Sequence, residues 1–245
     1  MVRVLSAEDY ISVSRPQLTW LIPSYVPYPG IVLLIGEPKA GKSFLGLQVA
    51  MCIASGTPFL GQPVAAASVL YLQLDTSETV WRQRLTDLRS SGAHLHPNLH
   101  FVHPDDQPTR VNILSSETRQ FLHQAMNECE PKLVVIDVLR ELHSGDEQDS
   151  TAMKLVGDAI ASTFQGRTVL LIHHTHKLYE GYGAPNPMNA ARGSSYTSGK
   201  ADAIWLLHGT VLTIVSRFHH TEKHALKWES NGLWSFPQLR SAPRH

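Results

Sequence analysis

Gly36, Gly41, Lys42 and Ser43 stand in the spacing G-x-x-x-x-G-K-[ST], spelled GEPKAGKS over residues 36–43. Glycines at these positions let backbone N–H groups crowd around a turn, the lysine adds a point charge, and the hydroxyl offers a hard oxygen to a cation. Those are the groups that hold a nucleotide's phosphates. The lining expected of such a cradle is Gly36, Glu37, Pro38, Lys39, Ala40, Gly41, Lys42, Ser43 and Phe44, with Lys42 on the β and γ phosphates and Ser43 on Mg2+. Lys39, inside the loop, reads as a solvated charge.

Holding a nucleotide is not hydrolysing it. Hydrolysis needs a second carboxylate at the end of a neighbouring strand to hold Mg2+, and Asp137 closes the apolar run LVVID over residues 133–137. It also needs a group that orients the attacking water. The candidates are Asp75 and Glu78, just past VLYLQL at residues 69–74. His173, His174 and His176 crowd another run's end, and fourteen histidines in all raise the question of a metal. Alternation along a strand sends His173 and His174 to opposite faces, which argues against one shared ion.

These residues need strand ends and helix starts to hold them. Continuous apolar runs at residues 30–36, 68–75, 132–138 and 168–174 predict strands covered on both faces, as in a parallel sheet. Helical patterns lie between them at 43–56, 77–92, 115–130 and 149–164, with Ser77, Ser115 or Ser116, and Asp149 or Ser150 as caps. Such alternation predicts a doubly wound α/β fold. The phosphate loop falls where a strand ends and a helix begins, so helix dipole and backbone N–H groups converge there. After residue 200, short β-like runs separated by Gly, Asn and His predict antiparallel strands continuing the sheet. A stretch dense in Gly, Pro and Asn, residues 177–195, reads as a long functional loop.

At 245 residues and 42% hydrophobic content, the chain can bury one substantial core. Lys and Arg total 21 against 21 Asp and Glu, so no global field advertises nucleic acid and any such contact must be local or built by assembly. Two cysteines, Cys52 and Cys129, lie in apolar helical surroundings without metal-ligand spacing and read as buried free thiols. No run reaches the roughly 18 apolar residues of a membrane span, and the expected location is cytoplasmic with no membrane partner.

From about Trp20 to Leu207 the chain resembles the RepA-type plasmid replicative helicases, a branch of the RecA-fold ATPases that also holds DnaB-like helicases and recombinases. The resemblance is carried by WLIPSYVPYPGIVLLIGEPKAGKS, VLYLQLDTSETVWRQRL, LVVIDVLRELHSGDEQDS, LLIHHTHK and ARGSSYTSGKADAIWLL, in the family's order. It implies a RecA-like core, with residues 1–19 as an N-terminal segment and 20–245 as the ATPase domain including C-terminal β-hairpins. ATP and Mg2+ are the implied cofactors. A homo-oligomer, expected as a hexamer, would place ATP sites between subunits. By position, Asp137 is the Mg2+ carboxylate, His174 senses the γ-phosphate, Arg192 is an arginine finger offered to a neighbour's nucleotide, and Arg84 is a basic residue at the nucleotide. The family places a catalytic Glu after the second strand where this chain has Asp75, whose side chain is shorter by one C–C bond, about 1.5 Å. A misplacement near 1 Å can cost about a hundredfold in rate.

Channel-lining loops of the family correspond here to LRELHSGDEQDS and THKLYEGYGAPNPMNAA. The first is acidic through Glu141, Asp146, Glu147 and Asp149 and suits helix capping better than phosphate. The second offers His176, Lys177 and Tyr179, a cation beside an aromatic that could stack on a base. Single-stranded DNA is the partner the resemblance implies, with replication or recombination proteins as further partners. The shorter Asp75 keeps a second reading open, a nucleotide-switched loader or scaffold with weak hydrolysis. A small-molecule kinase trails, because no lid of clustered arginines is present.

Overall fold

The computed structural model describes residues 4–13, 19–102, 107, 111–175, 186–190, 195–230 and 232–236. A short helix, α1 (Ala7–Ser12), is capped by the Ser6 hydroxyl accepting from the Asp9 N–H and buries none of its side chains. A hairpin of β1 (Thr19–Ile22) and β2 (Val26–Tyr28) leads into β3 (Gly30–Gly36), α2 (Lys42–Ser55), β4 (Val69–Gln73), α3 (Glu78–Ser90) and β5 (Leu99–Phe101). Then come α4 (Ser116–Cys129), β6 (Leu133–Asp137), a 3-10 turn (Leu139–Leu142), α5 (Ser150–Thr163) and β7 (Thr168–His174). Two short helices, α6 (Pro187–Ala190) and α7 (Ser195–Lys200), precede β8 (Ala203–His208), β9 (Val211–Ser216) and β10 (Glu222–Ala225). A small two-stranded ribbon, β11 (Lys227–Trp228) and β12 (Trp234–Ser235), ends the described chain.

The main sheet has eight strands in the order β10-β9-β8-β3-β7-β6-β4-β5. The pairs from β8 through β5 are parallel, and β9 and β10 add antiparallel strands beyond β8. This is the expected α/β architecture of a RecA-like core, a mostly parallel sheet with C-terminal antiparallel strands. Because β3, β6 and β7 are parallel neighbours, their C-terminal ends share one sheet edge, and the phosphate loop, Asp137 and His174 lie there together. Crevices beyond such strand ends are where open α/β sheets bind ligands.

Two apolar layers cover the sheet. On one face Val32, Leu34, Val135, Leu170 and Ile172 pack with Leu45, Val49 and Ile53 of α2 and with Trp81 and Leu88 of α3. On the other, Leu33, Ile35, Val134, Ile136 and Leu171 meet Leu122 and Met126 of α4 and Met153, Val156 and Ile160 of α5. Strand alternation fixes this sorting. It also sends Asp137, two residues past Val135, to the face of α2, and His174, two past Ile172, to the same side.

The expected caps take part differently. Ser115 accepts from the Thr118 N–H and Asp149 from the Thr151 N–H, whereas Ser77 occupies the N-cap of α3 without a side-chain bond. Two expectations need correcting. The second buried strand stops at Gln73, not at residue 75, because Asp75, Thr76 and Ser77 form the turn into α3. Cys52 and Cys129 are free, as expected, but half-buried rather than buried, since both sit toward the ends of their helices. Among the described residues, no helix is long and apolar enough to cross a membrane, and no three His, Cys, Asp or Glu side chains converge to hold a metal without further donors.

Candidate nucleotide site

The phosphate loop turns on backbone geometry that few residues other than glycine adopt. Gly41 has φ +89°, and a Cβ there would stand 2.8 Å from Cζ2 of Trp234. A Cβ on Gly36 would meet the Leu207 carbonyl oxygen at 2.6 Å. Both positions therefore exclude any side chain. No side chain caps the start of α2 and no acidic residue occupies its first turn, so its free N–H groups face the loop's concavity. That is the arrangement an anion complements.

Lys42 is 5% exposed and donates to the Glu37 carbonyl oxygen at 2.7 Å, while its Nζ lies 3.4 Å from Nδ1 of His174. Burial pulls its pKa down to about 8, and Asp137, Asp75 and Glu37 pull the other way. A buried ammonium held this far below its ordinary 10.5 has too little negative charge around it. Phosphate oxygens would supply that charge. Burial, then the nearby Lys42, also lowers the pKa of His174, which favours its neutral imidazole. With Nδ1 accepting from the lysine, the ring proton sits on Nε2.

Ser43 Oγ donates to Asp137 Oδ1 at 3.1 Å, and the Tyr71 hydroxyl donates to Asp137 Oδ2 at 2.8 Å. Asp137 is 1% exposed, and burial raises its pKa while those two hydrogen bonds lower it. A hydroxyl beside a carboxylate at a strand end is a hard-oxygen pair suited to Mg2+ with retained waters. The residues present therefore fit both a triphosphate and its cation.

The two candidate water-orienting carboxylates part company. Asp75 lies within electrostatic range of Lys42, Asp137 and His174. Glu78, in the first turn of α3, is ion-paired with Arg82 four residues on and faces solvent. Arg84, also on α3, lays its guanidinium 4.3 Å above the Phe44 ring and 5.1 Å from that of Trp81. Its buried Nη1 has no hydrogen-bond partner among the described residues. Beside it opens a cleft of about 420 Å³ lined by Phe44, Val80, Arg84, Leu88 and Gly232. A larger cavity of about 590 Å³ lies away from the phosphate loop, beside Phe101 and Phe121 at the β5 edge.

His173 points to the opposite face from His174, 3.8 Å from Glu147. Asp149 caps α5, in keeping with the acidic loop's expected role. Arg192, His176, Lys177 and Tyr179 lie outside the described residues, as does most of the loop 177–195.

Sequence reasoning missed two residues of the site. Trp234 of β12 covers the loop: its Nε1 donates to the Gly41 carbonyl at 3.4 Å, and its backbone exchanges two hydrogen bonds with the Gln48 side chain. Trp228 joins it at 4.9 Å between rings and meets Phe44 at 5.0 Å. Tyr71 is the other. No spacing rule links position 234 to position 41, but a tyrosine inside an otherwise aliphatic buried strand is a signal, because its hydroxyl needs a partner.

A family model described as an AAA domain matches residues 2–180, well over half of the chain. Among solved structures, the chain is similar to one described as an ATPase domain, at 12% identity and a TM-score of 0.61, over 84% of each chain. It is also similar to the KaiC-like protein PH0186 of the hyperthermophilic archaeon Pyrococcus horikoshii OT3, at 12% identity and a TM-score of 0.54, over 88% of this chain and 93% of that one. At such identity the likeness speaks for the fold. The chain thus belongs to the AAA-domain family, and its architecture is that of a RecA-fold P-loop ATPase.

Proposed function

We propose that this chain hydrolyses ATP and couples the reaction to work on single-stranded DNA as a homo-oligomer, expected as a hexamer. The observation that carries the reading is the convergence of Lys42, Ser43, Asp137 and His174 at one sheet edge, with Asp75 in electrostatic range. Lys42 balances phosphate charge, and the loop's N–H groups orient the chain of phosphates. Ser43 and Asp137 would hold Mg2+, which when bound would supply positive charge to offset that of the phosphates. Asp75 orients the attacking water and accepts its proton. His174, its Nδ1 turned to Lys42, can donate from Nε2 to the γ-phosphate. The cleft beside Phe44 and Arg84 is large enough to take the base and ribose.

Arg192 is assigned to the neighbouring subunit's nucleotide through the ARGSS segment's resemblance to RepA-type helicases. An arginine finger is worth about 10³ to 10⁵ in rate in well-studied phosphoryl transfer, so assembly would switch catalysis on. The DNA partner rests on the same resemblance, with His176, Lys177 and Tyr179 as the local candidates for contact.

One observation favours a second reading. Asp75 is shorter than the glutamate of the resembling helicases, which suits a nucleotide-switched loader or scaffold with slow turnover. ATP turnover with and without single-stranded DNA, for the parent, Lys42→Ala and Arg192→Ala, separates the two when combined with solution mass in the presence of ATP. DNA-stimulated turnover lost in both variants supports the motor. Nucleotide-driven assembly without turnover in any condition leaves the loader. A strictly monomeric yet active protein removes the finger assignment.

A further inference from the structure

Asp137 is a buried carboxylate with a donor on each oxygen, and the two donors differ in what a cation would do to them. Ser43 Oγ, on Oδ1, is itself an expected Mg2+ ligand: its lone pair would go to the cation while its O–H goes on donating to the carboxylate. The donor on Oδ2 is the Tyr71 hydroxyl at 2.8 Å, whose single proton goes to Asp137 because its other neighbour, the Ser43 carbonyl oxygen, is farther at 3.3 Å. Tyr71 cannot become a ligand easily, since it is 1% exposed and lies between strand and helix.

The phenol is also held in place. Its ring stacks on Trp81 with centroids 5.2 Å apart and packs against Phe101 at 5.7 Å. Strand pairing adds to this: β4 and β6 run in register with Tyr71 opposite Val135 and Gln73 opposite Asp137, and the Leu74 N–H donates to the Asp137 carbonyl at 2.7 Å. Backbone and side chain of Asp137 are thus both fixed from the β4 segment.

We propose that Tyr71 is a positioning residue that holds Oδ2 of Asp137 so that Oδ1 stays turned toward Ser43 and the Mg2+ position. The proposal rests on the ATP reading of the site. Partners of this outer kind typically change metal affinity by about 10 to 100-fold when removed. A merely structural tyrosine would instead lower stability and leave the cation's share of binding intact.

Tyr71→Phe keeps the ring stack and removes only the hydroxyl. Its test is the affinity for a fluorescent ADP analogue, titrated with Mg2+ and compared with the affinity in EDTA, on chains shown by thermal melting to be folded. The expected result is an EDTA affinity within about twofold of the parent and a Mg2+ midpoint raised by about tenfold. In the Asp137→Asn background the same substitution should add no further rise. A Tyr71→Phe midpoint within about twofold of the parent overturns the proposal, as does an equal loss with Mg2+ and with EDTA. Should Tyr71→Phe not fold, Trp81→Phe loosens the phenol while keeping its hydroxyl: a raised Mg2+ midpoint supports the proposal and an unchanged one overturns it. A parent chain whose nucleotide affinity ignores Mg2+ overturns the ATP reading itself, and the proposal with it.

Discussion

Raising the pH from about 7 to 9 removes the charge from Lys42 in the free chain but not in a chain whose site is filled with phosphate. Burial sets the free-chain pKa at about 8 despite Asp137, Asp75 and Glu37 nearby. A triphosphate restores the charged form and returns the pKa toward or above its ordinary 10.5. Binding therefore takes up a proton, about half a proton per site near pH 8, and affinity falls about tenfold between pH 7 and 9. The sign for the free fold is the reverse. The charged lysine destabilises it below about 8, and that cost disappears as the pH rises toward 10.5. Equilibrium titration with Mg–ADP at several pH values measures the slope, and calorimetry in two buffers of different ionisation enthalpy measures the proton. Lys42→Met should lose both the slope and the proton uptake. An affinity constant within about twofold from pH 7 to 9, or a slope that survives in Lys42→Met, would show that Lys42 is not the group that phosphate recharges.

Asp75→Asn should lower turnover by about a hundredfold or more, whereas Glu78→Gln, which breaks only an exposed pair with Arg82, should leave it within about twofold; steady-state phosphate release distinguishes them, and the reverse pattern would move the water-orienting role to Glu78. Gly41→Ala puts a methyl group 2.8 Å from the Trp234 ring at φ +89°, a cost of roughly 1 to 3 kcal/mol, seen as a melting-point drop of about 2 to 4 °C per kcal/mol. Trp234→Ala uncovers the loop, so nucleotide should dissociate several-fold faster by stopped-flow while the Mg2+ midpoint stays unchanged.

The four long strands were legible because a strand buried on both faces must be apolar at every position, and Leu33, Leu34 and Ile35 or Val134, Val135 and Ile136 leave no polar alternation. For the same reason Asp137 and His174 stood out, each the polar end of an apolar run that neighbouring parallel strands bring to a common edge. The short β5, only Leu99–Phe101, and the β1–β2 hairpin around Ser24 gave no such signal, since three or four residues cannot display a period. The choice between Asp75 and Glu78 depended on where β4 ends. Residue types placed that end two positions late, because Leu74 prolongs the apolar run while the turn chemistry of Asp75, Thr76 and Ser77 competes with it. Trp234 over Gly41 is a contact across most of the chain's length, set by how the C-terminal ribbon packs on α2, and local pattern carries no information about it.

In the proposed assembly, one half of a working ATP site lies on this chain and the other half, through Arg192, on the next copy. Phosphate release per chain, measured against protein concentration with ATP and Mg2+, probes that division without any intermediate assumption. The per-chain rate should rise with concentration as copies associate, and should be lost at all concentrations in Arg192→Ala while nucleotide binding persists. A per-chain rate independent of concentration in a monomeric protein, with Arg192→Ala as active as the parent, would contradict the shared site.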